Sequence, residues 1–273
     1  MNLFRLLPVL VLFDCALPVT QTIWQVAKVE QYEAAIADIT GIPAESVNVV
    51  LSPDGQTLAW MKDEHTLCLY PFANEQTRCV SPPNQAVLPL ELTWSRDQHY
   101  LSLYGYSTSG YALWLYSLKE AVFTPVIEND TSWSGYAPVW AADDAARDET
   151  LYYLDLEFKP DDQTWSGAIF SVTPPNLEPQ QIFELPPALA ASNYLRLAVV
   201  SPDGQRLILL SQLHQGMLET DDEISGLWLI DLADRSLSQL ASMAELRAGF
   251  PRWYQGYFEL ESVTWNATAN GLL

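Results

Sequence analysis

The chain has 273 residues, 49% of them hydrophobic and 12% aromatic, which is enough apolar side chain for a sizeable core and excludes a disordered chain. Its 13 Lys and Arg stand against 34 Asp and Glu, a formal charge of −21. Such a surface repels phosphate backbones and anionic lipid, so nucleic-acid binding and charge-driven membrane attachment are excluded, whereas a cationic partner or a metal ion is attracted.

Residues 1–20 hold one Arg and then an apolar run from Leu6 to Phe13, the shape of a short secretory signal and too short for an integral membrane span. Pro8 interrupts the run, no small-x-small cleavage site follows, and Asp14 precedes Cys15 where a lipidated Cys has a small neighbour. Export, lipid attachment and a buried mature strand are therefore all open, with export favoured. In residues 21–46, TIWQVAK reads as a strand. Tyr32, Ile36 and Ile39 then recur at helical spacing until Gly41 and Pro43 close a short N-terminal helix.

From residue 47 onward one pattern repeats: an apolar, β-branched strand runs into a polar turn and out again. The segments are NVVLSPDGQTLAW, ELTWSRDQHYLSLY, APVWAADDAARDETLYYLD, LAVVSPDGQRLILL and ESVTWNATANGLL, with Ser52, Ser95, Ala141, Ser201 and Asn266 at the equivalent position. In the turn, Pro sets φ, Asp bonds its own backbone and Gly accepts positive φ. A second hairpin follows each of the first four, so the unit is four short antiparallel strands, A to D. Such units at this spacing describe the blades of a β-propeller, which stack because one sheet cannot bury both faces alone. The expected architecture is all-β: blades at about 47–83, 88–128, 136–186 and 193–242, with a partial fifth at 258–273. The fifth segment stops partway along its second strand, and TIWQVAK offers it an outer strand. The expectation is four full blades plus a partial one in an open arc, from a fragment of a longer propeller.

Three cysteines are present, Cys15, Cys68 and Cys79. If Ala73-Asn74 is a two-residue turn, Cys68 falls opposite Cys79, near enough for a bridge. Buried free thiols are the alternative, and export favours the disulfide.

Ser52-Pro53-Asp54-Gly55 with Cys68-Leu69-Tyr70, and Ser201-Pro202-Asp203-Gly204 with Leu227-Trp228-Leu229-Ile230-Asp231, resemble the repeat of TolB-like, WD-repeat-like propellers. The propeller domains of prolyl-oligopeptidase-type peptidases have the same style of blade. The resemblance covers residues 47–273 and implies a fold; the matched positions are turn and core positions, so no functional residue follows from it.

Catalytic chemistry finds little support. Gly105-Tyr106-Ser107-Thr108-Ser109 lacks the final Gly of a nucleophile elbow and falls in a hairpin. Ser52-Pro53-Asp54-Gly55 places Gly one position early for an Asp-box, and no carboxylate pair stands out for glycoside hydrolysis. His65, His99 and His214 lack ligand spacing, and Asp143-Asp144, Asp161-Asp162 and Asp221-Asp222-Glu223 lack the alternation of a calcium loop, so they read as solvated loop charge. No catalytic residue, metal or cofactor is expected.

The tryptophans divide. Trp94, Trp140 and Trp265 share one repeat position and Trp114 and Trp228 another, so these read as core. Trp133, Trp165 and Trp253 do not repeat; they fall in D–A connections and a B–C turn, which emerge on one face of a propeller. Tyr111, Tyr136, His214 and Tyr254 join them there. Aromatics on loops over a rigid scaffold suit a binding surface, while capping of their own blades is the plainer role. The expected protein is a non-enzymatic propeller, periplasmic or extracellular, that binds a protein or peptide, with a cationic one suited to the acidic loops. Carbohydrate binding, or service as the propeller part of a longer enzyme, are the alternatives.

Overall fold

The computed structural model describes residues 47–63, 65–81, 88–107, 110–130, 138–141, 149–191, 194–201, 203–212 and 224–248. The expected secretory segment, N-terminal strand and helix, and partial fifth blade lie outside them.

Within these residues the chain forms four sheets of four antiparallel strands. The first comprises β1 (Val47–Leu51), β2 (Thr57–Asp63), β3 (Thr66–Pro71) and β4 (Arg78–Val80). The second comprises β5 (Leu88–Trp94), β6 (Tyr100–Ser107), β7 (Gly110–Ser117) and β8 (Val122–Asp130). The third comprises β9 (Val139–Trp140), β10 (Leu151–Lys159), β11 (Thr164–Thr173) and β12 (Asn176–Glu184). The fourth comprises β13 (Tyr194–Val200), β14 (Arg206–Gln212), β15 (Gly226–Asp231) and β16 (Ser236–Ser242). In each sheet the strands are neighbours in chain order, the meander of a propeller blade. Two short helices, α1 (Pro187–Ala190) and α2 (Met243–Ala248), complete the description.

The repeated turn is a hydrogen-bond device that recurs atom for atom. Ser52, Ser95 and Ser201 are buried although polar. Each hydroxyl accepts the backbone N–H five residues on: Thr57 at 2.9 Å, Tyr100 at 2.8 Å and Arg206 at 2.9 Å. Each also donates to the carboxylate two residues on, Asp54 at 2.6 Å, Asp97 at 2.7 Å, and Asp203. That carboxylate accepts the N–H of Gln56, His99 or Gln205 in turn. The serine hydroxyl holds the Asp54 and Asp203 carboxyls below the usual carboxylate range. Gly55 and Gly204 take φ of +70° and +66°, and Gln98 takes +63° at the same place. In the third sheet Ala141 replaces the serine, yet its N–H still closes the turn on the Thr150 carbonyl at 2.8 Å.

The chain divides into two compact units, whose described residues fall within 47–130 and 138–248. In the first, β1 lies beside β5. One face of each sheet meets the other through Ala59, Met61, Leu69, Leu103, Trp114 and Tyr116. Trp94 bridges the two, its indole N–H donating to the Val50 carbonyl at 3.4 Å. The Gln98 amide, its nitrogen turned toward Asp54, donates to that carboxylate at 2.7 Å, so the repeated turns of adjacent sheets are tied together.

In the second unit β9 lies beside β13, and Leu154, Ile169, Leu197, Leu207 and Leu209 form the shared core. The sequence pattern did not reveal either helix. In α1, which follows Pro186, Leu189 and Ala190 are buried in this core. α2 opens with a capping box: the Ser242 hydroxyl accepts the Glu245 N–H while the Glu245 carboxylate accepts the Ser242 N–H at 2.8 Å. Met243 and Leu246 then pack on Ile208, Leu210 and Leu227.

Cys68 and Cys79 face each other across β3 and β4 and form a disulfide. The register is the one the cysteine spacing requires, but the turn is wider than Ala73-Asn74. The ladder ends at Leu69 opposite Arg78, and the chain turns through a bond from the Glu75 N–H to the Pro71 carbonyl. A wider turn with the same number of residues on each side keeps the pairing unchanged.

Candidate functional site

Trp133, Tyr136, His214, Trp253 and Tyr254 lie outside the described residues. Trp165 and Tyr111 lie within them, and neither is in a loop. Tyr111 is the second residue of β7, paired with Tyr106 of β6; Trp165 is the second residue of β11, paired with Phe158 of β10. Strand pairing carries on further toward the hairpin tip than a break at the first polar residue would suggest.

Each residue therefore belongs to a cross-strand aromatic pair that the sequence reading only half identified. The Tyr106 and Tyr111 rings lie 4.3 Å apart, with their hydroxyls hydrogen-bonded at 2.6 Å, and Tyr104 stacks on Tyr111 at 5.8 Å. Tyr106 is 39% exposed while Tyr104 is buried. The Phe158 and Trp165 rings lie 5.1 Å apart with planes tilted by 48°. Phe158 is 40% exposed, while Trp165 is half-buried against the core of its unit. Both pairs sit at the B–C end of their own sheets. Phe158 and Tyr106 were legible in principle: counting outward from the tip of each hairpin places them opposite Trp165 and Tyr111.

Pro160–Gln163 form the turn beyond Phe158, and Asp161 and Asp162 are both exposed there. Asp162 accepts the Thr164 hydroxyl at 2.6 Å and the Thr164 N–H at 3.2 Å. The hydroxyl bond is the main reason its carboxyl lies below the usual range, so it carries full charge at neutral pH. Below this tip Gly167 faces Leu156, whose side chain fills the space a Cβ would need, with 2.5 Å to the nearest atom.

The repeated tryptophans behave as packing residues to different degrees. Trp94 and Trp114 are buried, and Trp140 and Trp228 are half-buried. The Trp228 indole N–H donates to the Ile224 carbonyl at 2.9 Å. Among the described residues no group of three or more His, Cys, Asp or Glu is arranged to hold a metal ion. None of the described helices is long and apolar enough to cross a membrane.

No family model matches the chain, and no curated protein is similar to it. Solved structures do resemble it. The tricorn protease aligns over 83% of this chain and 24% of its own, with 12% identity and a TM-score of 0.50. A TolB-type protein of Agrobacterium tumefaciens aligns over 72% of this chain and 62% of its own, with 15% identity and a TM-score of 0.46. The β-propeller domain of the Trilobed protease from Pyrococcus furiosus aligns over 71% and 56%, with 12% identity and a TM-score of 0.45. The chain thus spans less than two thirds of the length of each. At such identities the likeness is one of fold, and with the four meander sheets it is a fold of the β-propeller type.

Proposed function

We propose that this protein is a non-enzymatic, exported β-propeller scaffold that binds a protein or peptide partner through aromatic side chains at the B–C ends of its sheets. The observation that carries this reading is an aromatic contact with one exposed ring at the B–C end of a sheet in each unit, Tyr106 with Tyr111 in one and Phe158 with Trp165 in the other. The repeated residues are already engaged. Their serines and aspartates are bonded within the turns, and Trp94 and Trp114 are in the core. Large aromatics that a scaffold leaves in water are the residues that anchor interfaces. The Cys68–Cys79 disulfide supports an oxidising compartment.

The test is affinity capture from the extracellular and periplasmic fractions of the native source, followed by binding of the purified partner to the purified protein. A partner that binds wild type, and binds Tyr106→Ala and Phe158→Ala at least about tenfold more weakly, is expected for anchor residues. Failure of any captured protein to bind once purified overturns the reading.

A further inference from the structure

β6 and β7 bring three tyrosines onto one face of their sheet. Tyr106 and Tyr111 are directly opposed across the two strands, and Tyr104 stands two residues before Tyr106 on the same face. Opposed residues of an antiparallel pair hold their Cβ atoms about 4.5–5.5 Å apart. From there the two rings close on one another. The Tyr106 and Tyr111 centroids are 4.3 Å apart, the planes are tilted by 39°, and the hydroxyls meet in a hydrogen bond of 2.6 Å. The rings therefore converge at their phenolic ends. The ladder holds them there, because β5 reaches Tyr106 on one side and β8 reaches Tyr111 on the other.

A phenol that loses one electron becomes strongly acidic and sheds its proton. The phenoxyl radical that results carries its spin on the oxygen and on the ring carbons ortho and para to it. The para carbon bears the side chain, so the free coupling positions are the ortho carbons, Cε1 and Cε2, which flank the two hydroxyls that touch. Tyr106 is 39% exposed, so an oxidant reaches it from solvent, and Tyr111 is half-buried beside it. Tyr104 is buried and stacked on Tyr111 at 5.8 Å with planes 10° apart, which braces the Tyr111 ring. The same unit already carries one oxidative link between opposed strands, Cys68–Cys79.

We propose that Tyr106 and Tyr111 form an oxidative modification site, coupled Cε to Cε into an intramolecular dityrosine by a haem peroxidase with hydrogen peroxide as the oxidant. Each phenol gives up one electron and its phenolic proton. The two radicals form one carbon–carbon bond, and the hydrogen on each coupled carbon then moves to the phenolic oxygen as the ring regains aromaticity. The two electrons and two protons released reduce one hydrogen peroxide to two waters. The opposed partner is already in place, so coupling within the chain outruns coupling between molecules in dilute solution. The bond joins β6 to β7 next to their turn. This chemistry needs no partner protein and is independent of the scaffold reading above.

The test treats the purified full chain, at neutral pH and micromolar concentration, with hydrogen peroxide and a haem peroxidase. Wild type is expected to gain dityrosine fluorescence and to stay monomeric on a reducing, denaturing gel. Its tryptic peptide of residues 97–119, which holds both tyrosines, should lose the mass of two hydrogens. Tyr106→Phe and Tyr111→Phe keep the ring and lack the phenol, so each should cut the yield at least about tenfold, the advantage of a positioned partner over a diffusing one. Tyr104→Phe, in the same peptide, should leave the yield unchanged. Melting curves that match wild type confirm folding. A second measurement needs no variant: wild type unfolded in guanidinium chloride before oxidation should give less of the product, because the ladder no longer holds the rings together. Equal yields from native and unfolded chain would overturn the proposal. So would undiminished yield in Tyr106→Phe, a fluorescent product found only as dimer, or a native peptide that does not lose the two hydrogens.

Discussion

Replacing Ser201 with Ala tests whether the repeated serine is the structural centre of each turn. The hydroxyl is fully buried and makes two bonds, accepting the Arg206 N–H at 2.9 Å and donating to Asp203. Alanine fills nearly the same space, so packing changes little and the loss is polar. Leaving the Arg206 N–H without its acceptor costs about 1–3 kcal/mol. Losing the bond to Asp203 adds about 0.5–1 kcal/mol, discounted because that carboxylate is 44% exposed and keeps the Gln205 N–H and Arg206 as partners. The two are coupled, and the expected total is about 2–3 kcal/mol, or roughly 6–10 °C in melting temperature for a unit of this size. The assay is thermal unfolding followed by near-ultraviolet circular dichroism at neutral pH. The pH dependence has a definite sign. Asp203 has a lowered pKa in the folded state because Ser201 bonds its ionised form, so this contribution is complete above the ordinary Asp value of about 3.9. It fades as pH falls through the lowered folded value, and the gap between wild type and variant should narrow there. A variant within about 0.5 kcal/mol of wild type at neutral pH would refute a structural role for the serine.

Gly226→Ala should fail to give folded protein, because a Cβ there would sit 2.1 Å from the Ala241 carbonyl oxygen and the residue has φ of +152°; soluble expression and far-ultraviolet dichroism report it, and a variant with native spectrum and melting would contradict the geometry. Replacing both Cys68 and Cys79 with Ala should cost about 3 kcal/mol for a loop of 11 residues, and amide exchange should rise first in β4, whose three residues pair, among the described strands, with β3 alone; unchanged exchange there would refute it. Trp94→Ala should cost about 3–5 kcal/mol as a buried aromatic that joins two sheets, whereas Phe158→Ala should cost less than about 1.5 kcal/mol; similar losses in urea titrations would mean that Phe158 is core and not surface.

The four-sheet meander was legible in the chain because its signals are local. Alternating apolar residues identify the strands, and turn chemistry is written in adjacent letters, as at Ser52 to Gly55 and Ser201 to Gly204. The opposition of Cys68 and Cys79 followed from counting alone, and it survived a turn wider than expected because the count on each side was the same. α2 was also written locally, in Ser242 and Glu245 three residues apart, but a strand-by-strand reading passes over it. Tertiary structure alone decided the rest. Ser52, Ser95 and Ser201 look like ordinary turn residues, and only the sheets around them show that they are buried and bonded on both sides. Leu189 and Ala190 join the core because β11 happens to pass beneath them, a contact that no local pattern encodes. Trp165 lies in the same kind of sequence whether its strand ends or runs on. Phe158 continues an alternation of buried residues along β10 and yet is 40% exposed, which its place in an apolar strand does not announce. Period and turn chemistry are properties of neighbouring residues, whereas exposure depends on what fails to pack alongside, which is settled only when distant strands meet.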